Sequence, residues 1–164
     1  MKNQYYGDIN DYRKYGLLRQ FRETFNCKIG VIWMLTEDDK NMKDGNKTSY
    51  LDKPDKWKDY DPYLFEQLEK RVKRNERDVK FAEEDKIIPY ASYFRDAFVS
   101  DITQRNKYFS SATKKCNDCQ LIFFDPDNGF EVPSVKKGNT KSEKYLYWEE
   151  FKYLYEPHKE YVKI

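Results

Sequence analysis

Four consecutive apolar residues, Leu121 to Phe124, run straight into Asp125-Pro126-Asp127-Asn128-Gly129, and Glu131 follows. An apolar run of that length, closed by turn-forming residues, reads as a strand buried on both faces in the middle of a parallel sheet. In open α/β sheets, ligands bind in the crevice beyond the carboxyl ends of the strands. Acids gathered at such an end are therefore candidates for chemistry.

A second strand of the same kind, Lys28 to Leu35, also ends in acids, Glu37-Asp38-Asp39. Weaker strand patterns fall at 78–82 and 160–164. Helices are predicted between them. The first is capped by Asn10 or Asp11 and carries Tyr12, Tyr15, Leu18, Phe21 and Phe25 at helical spacing. Another opens at Asp61-Pro62, with a cap and then proline at the first helical position. A third runs from Ser100 or Asp101 to about Lys114, and a fourth covers 145–155. Residues 40–60 read as a long polar loop, and 87–90 as a break before a helix or turn at 91–99.

This alternation predicts an α/β fold: one three-layer, Rossmann-like domain over residues 1–164 with a mainly parallel sheet. Strand 120–125 is expected at its centre, flanked by strand 29–35. The last strand stops at Ile164 almost as soon as it begins, so the sheet is expected to be truncated at the C-terminus.

Charged residues make up 37% of the chain and mean hydropathy is −1.07, values that approach those of disordered chains. Fifteen Tyr, eleven Phe and three Trp argue instead for a folded core. Thirty-one basic residues against 29 acidic ones leave no global field to attract nucleic acid, so any basic surface must be local. The local candidates are Lys70, Arg71, Lys73 and Arg74 on one helix, and the loop carrying Lys136, Lys137 and Lys141. No stretch approaches the roughly 20 apolar residues that span a bilayer, and Met1 to Tyr6 lacks the apolar core of a signal peptide. No membrane partner and a cytoplasmic location are therefore expected. Cys27, Cys116 and Cys119 are an odd set without a secretory signal, which argues against a disulfide framework. The Cys116-Cys119 pair has CxxC spacing but no second pair to complete a zinc site, and reads as a short surface turn.

The only histidine is His158, so triad chemistry is not supported. The six glycines, at positions 7, 16, 30, 45, 129 and 138, form neither GxGxxG nor a P-loop. What remains is carboxylate chemistry. Asp125, Asp127 and Glu131 form a hard oxygen donor set suited to Mg²⁺ or Mn²⁺, with Asp8, Glu37 or Asp38 as further contributors. Lys137 or Lys144 from the basic loop would hold a phosphate beside such an ion. Asp125-Pro126-Asp127-Asn128-Gly129 also makes a good turn, because proline fixes φ and Asn-Gly accepts positive φ. Asp8 and Asp11 likewise suit helix capping.

Three segments carry a resemblance: Tyr6-Gly7-Asp8-Ile9-Asn10-Asp11-Tyr12, Asp125-Pro126-Asp127-Asn128-Gly129, and Lys141-Ser142-Glu143-Lys144-Tyr145-Leu146-Tyr147-Trp148. Together they resemble an uncharacterised family of bacterial and mobile-element proteins over the whole chain. That resemblance implies no particular activity. Locally, Leu121–Gly129 is similar to the Asp-Pro-Pro-Tyr segment of amino-group methyltransferases that act on nucleic acids. Asp125 and Pro126 match that segment, while Asp127 and Asn128 depart from it.

The resulting expectation is a nucleic-acid-processing enzyme that hydrolyses phosphodiester bonds with a metal at Asp125, Asp127 and Glu131. The alternatives are a methyltransferase-like Rossmann protein acting on nucleic acid, or a non-enzymatic module whose exposed aromatics bind a partner protein.

Overall fold

A computed structural model describes residues 1–39 and 44–155, with Tyr155 described by its backbone alone. In chain order the elements are α1 (Ile9–Phe25), β1 (Ile29–Ile32), α2 (Pro54–Trp57), α3 (Pro62–Lys73), α4 (Lys80–Glu84), β2 (Ser92–Phe94), α5 (Ile102–Lys115), β3 (Leu121–Phe124) and α6 (Trp148–Tyr155). They divide into two compact units. A sheet unit holds Met1, residues 27–36 and residues 91 onward; a helical unit holds residues 2–26 and 37–90.

The sheet unit is α/β. Its three strands are all parallel, in the order β2-β1-β3. The register pairs Ile32 with Phe94 on one side and with Phe124 on the other, so the three carboxyl ends lie level. The central strand is therefore β1, not the 120–125 strand expected there. β1 is buried at every position, whereas β3 is only half-buried throughout. An unbroken apolar run marks a buried strand but not its place in the sheet, and both strands have such a run. The predicted strand at 160–164 lies outside the described residues.

One face of the sheet packs on α5 and α6. Ile32, Met34, Phe94, Ile122 and Phe124 meet Tyr108, Phe109, Ala112, Phe151 and Leu154 in one apolar cluster. α5 forms where predicted because the Asp101 carboxylate accepts from Gln104 N–H (2.9 Å) and apolar residues recur at helical spacing behind it. Gly30 is required by a close approach: a Cβ there would stand 2.8 Å from Cys116 Sγ and 2.9 Å from Ile122 Cδ1.

The helical unit corrects two expectations. In place of the strand expected at 78–82, Asp78 and Val79 lead into α4, which begins at Lys80, because the Asp78 side chain accepts from Lys80 N–H (2.8 Å) and starts a turn. Val79 and Ala82, three apart, are the buried residues of this segment, which is helical rather than alternating spacing. The polar segment 49–60 is a run of short helical turns and α2 rather than loop. A third correction falls in the sheet unit. The segment expected as a helix or turn at 91–99 supplies β2, and Ala97 then bridges Leu35.

Inside the sheet unit, the Arg105 side chain on α5 is fully buried. Its Nε donates to Glu150 Oε1 (2.7 Å) and its Nη2 to Glu150 Oε2 (2.7 Å). The remaining donors reach the Ser142 and Tyr145 carbonyls, each at 3.0 Å. Removing one member of a buried pair leaves an uncompensated charge, which costs about 3 kcal/mol or more. Arg105→Met is therefore expected to lose about that much in urea unfolding. Lys73→Met, which breaks the exposed Lys73–Glu69 pair, should lose under about 0.5 kcal/mol. Equal small losses would show that the buried pair does not organise the unit.

Candidate functional site

Beyond the level strand ends the chain turns sharply on both β1 and β3. Met34, just past β1, has φ +45°, a left-handed backbone uncommon for a residue with a long side chain. Its N–H faces Tyr108 Oη (3.0 Å), and its carbonyl turns toward the N-terminus. Past β3, Asp125 N–H donates to Ile32 O (3.0 Å) and extends the ladder by one residue. The Asp-Pro-Asp-Asn-Gly turn follows. Gly129 holds φ +90° with open space where a Cβ would sit, so it is needed for its backbone and not for its small size.

The positive charge at this edge is the α-ammonium of Met1. It stands 2.7 Å from Asp127 Oδ1 and donates to Asp125 O (2.9 Å) and Met34 O (3.3 Å). Thr36 completes the arrangement: its N–H donates to Met1 O (2.9 Å) and its hydroxyl donates to Asp127 Oδ2 (3.1 Å). The Met1 and Asp127 side chains are 1% and 4% exposed, so the pair is screened little by solvent. Asp125 is buried as well.

The predicted set is thus only partly brought together. Asp125 and Asp127 meet at the ammonium, Asp125 through its carbonyl. The Glu131 carboxylate is turned to the start of α6, where it accepts from Trp148 N–H (2.9 Å). Among the described residues, no group of three or more His, Cys, Asp or Glu is arranged to hold a metal ion. Asp8 and Asp38 lie in the helical unit, where each accepts from backbone. Asp8 caps α1 through Asn10 and Asp11 N–H, displacing the expected cap by two or three residues, and Asp38 accepts from Gln4 N–H. Glu37, also in that unit, is exposed.

The basic loop meets the acidic turn through backbone. Asn128 N–H donates to Lys144 O (2.9 Å), Leu146 N–H to Gly129 O (3.0 Å), and Glu131 N–H to Leu146 O (2.9 Å). Phe130 and Leu146 form a parallel bridge there. Lys137 is held by Glu149 (2.6 Å) and Glu150 (3.3 Å). Lys136, Lys141 and Lys144 make no ion pair among the described residues. On α3, Arg71 is occupied by Glu76 and Asp85, and Lys73 by Glu69, whereas Lys70 and Arg74 make no ion pair among the described residues.

Cys116 and Cys119 close a tight turn in which Cys119 N–H donates to Cys116 O (3.1 Å), and both thiols are buried rather than on the surface. Hydrogen bonds from Cys116 and Ser92 pull the Cys119 thiol down to about 7, while the bond to Cys119 and burial push Cys116 up.

Met1 and Thr36 were not legible as site residues, because every chain has an α-amino group and nothing local says where it folds. The exposed Phe130 beside Trp148 was also missed; its signal was an aromatic directly after the turn glycine. No family model matches the chain, and no curated protein or solved structure matches it.

Neutralising Asp127 tests the ammonium pair. Asp127→Asn should cost about 2–4 kcal/mol in denaturant unfolding, because it leaves a buried cation with carbonyls alone. Glu131→Gln keeps an acceptor for Trp148 N–H and should stay within about 0.5 kcal/mol of wild type. A neutral Asp127→Asn would remove the pair as a determinant of the turn.

Proposed function

We propose that this protein is a nucleic-acid-processing enzyme that hydrolyses phosphodiester bonds at the acidic turn following β3, with Mg²⁺ or Mn²⁺. The observation that carries the reading is the backbone ladder from Asn128–Glu131 to Lys144–Leu146. It joins a turn bearing two buried acids to a loop rich in lysines, at the edge of a parallel sheet where ligands bind.

The donor chemistry is compatible with a hard ion. Carboxylate and carbonyl oxygens of Asp127, Asp125 and Met34 already surround a positive charge, so this pocket of oxygens favours cations. Mg²⁺ keeps several waters and is commonly bound by only one or two carboxylates together with substrate phosphates. Asp125 and Asp127 would suffice, without Glu131. The ion would supply Lewis-acid polarisation of the phosphoryl group and an activated water. Lys144 is the residue assigned to phosphate in this reading, since Lys137 is committed to Glu149 and Glu150. The proposal extends to the scaffold as a three-layer, Rossmann-like arrangement, supported by the burial of β1 residues on both faces of the sheet.

The experiment is cleavage of labelled DNA and RNA, with thermal melting in EDTA, Mg²⁺, Mn²⁺ and S-adenosylmethionine. Cleavage with metal, a melting point raised by metal, and loss of both in Asp125→Asn are expected, since a ligand that binds only the native state stabilises it. Stabilisation by S-adenosylmethionine and by neither metal would replace hydrolysis with methyl transfer.

A further inference from the structure

The residue after the turn glycine and the first residue of α6 form an exposed stack. Phe130 and Trp148 lie with ring centroids 4.1 Å apart and planes 14° from parallel. They remain 40% and 50% exposed, and Val132 beside them in sequence is 36% exposed. Two aromatic side chains held this far in water are costly unless something covers them.

The stack is rigidly backed. Phe151 meets Phe130 at 5.7 Å and Trp148 at 5.9 Å, both edge-on, and Phe124 of β3 meets Phe151 at 6.2 Å. The Glu131 cap on Trp148 N–H and the Phe130–Leu146 bridge fix both ring-bearing residues by backbone. Each ring uses one face against the other, and the 40% and 50% that stay exposed leave aromatic surface on which a third flat ring would continue the stack.

Charge identifies that ring's carrier. The neighbouring loop from Pro133 to Tyr147 holds Lys136, Lys137, Lys141 and Lys144 against a single acid, Glu143. Glu143 is engaged by the Ser100 hydroxyl, and Lys136, Lys141 and Lys144 make no ion pair among the described residues. Aromatic faces beside unpaired cations are how proteins bind single-stranded nucleic acid: bases stack and lysines follow the phosphates. Paired bases inside a duplex present no free face.

We infer that Phe130 and Trp148 form a stacking platform for an unpaired base of single-stranded nucleic acid whose phosphates lie along Lys136, Lys141 and Lys144. This deepens the proposed function by naming the substrate class, and rests on it for the reaction but not for binding.

The test separates the two. Binding of fluorescein-labelled oligothymidylate, about a dozen nucleotides long, is followed by anisotropy and tryptophan quenching in EDTA, where no cleavage occurs. A duplex of the same length is the comparison. The full chain should bind the single strand more tightly than the duplex. Phe130→Leu and Trp148→Ala should each weaken binding at least about tenfold, within the range that one stacked base contributes. Trp148→Phe should retain most of the affinity. Lys136→Ala with Lys141→Ala should flatten the dependence of log K on log salt. Binding of the single strand by the full chain in EDTA, with no cleavage when Mg²⁺ or Mn²⁺ is added, would count against the hydrolytic reading alone. Equal affinity for duplex, no oligonucleotide binding, or wild-type binding by folded Phe130→Leu would overturn the platform. In the second case a protein partner becomes the better occupant.

Discussion

The sheet unit depends on one buried charge pair. Arg105 emerges from α5 among Tyr108, Phe109 and Ala112, where a lone guanidinium would be prohibitively costly. Glu150 neutralises it, and two carbonyls of the 142–145 segment take its remaining donors. Phe98 and Tyr147 add ring faces 4.3 and 5.1 Å from the guanidinium carbon. A hydrophobic pair of similar volume would pack here as well, but it would not specify where the 142–150 segment lies. Because Arg105 satisfies named carbonyls, it sets the register of Lys144–Leu146, and that segment in turn carries the ladder to the acidic turn. The geometry at Asp125–Gly129 is thus decided partly from α5, the helix that precedes β3.

The acidic turn illustrates how structural and functional readings of the same residues coexist. Gly129 serves the turn, Asp125 extends the sheet ladder, and Asp127 holds the Met1 ammonium with Thr36. Each has a structural duty, yet together they leave carboxylate and carbonyl oxygens converging at the carboxyl edge of a parallel sheet. A cation is stabilised there by oxygen donors in a low-dielectric setting. A divalent ion bound at the same oxygens would compete with the ammonium for Asp127. In the proposed reading, metal affinity would therefore be linked to the position of Met1.

The helical unit explains how so polar a chain folds. Its interior is built of aromatics, several of them tyrosines: Tyr12, Tyr50, Trp57 and Phe65 form one tilted and edge-to-face cluster. The hydroxyls of Tyr12, Tyr15 and Tyr50 donate to Trp57 O, Asp11 Oδ2 and Gly7 O. Burial of the Tyr50 phenol, followed by the nearby Asp11 and Asp8 charges, pushes its pKa far up and keeps it a neutral donor. Tyrosine scores as weakly hydrophobic but buries a large ring, so mean hydropathy understates the core.

From sequence alone, the apolar runs at 29–32 and 121–124, the caps at Asp61 and Asp101, and the turn chemistry of 125–129 were legible. Each rests on local rules: side-chain period, orphan N–H groups at helix starts, and φ freedom. Residues 78–82 and 91–99 were misread because short segments of mixed pattern are assigned by what they pack against. Strand order was likewise invisible, since β1 and β3 carry equivalent apolar runs and only the crossovers decide which is central. Among the candidate site residues, the sequence by itself marked Asp125 and Asp127 and the lysine-rich loop. Only tertiary structure turned Glu131 into a helix cap, gave Lys137 to two glutamates, brought the Met1 ammonium to Asp127, and stacked Phe130 on Trp148. Those outcomes depend on contacts between residues up to 126 positions apart, as for Met1 and Asp127, and no local periodicity encodes them.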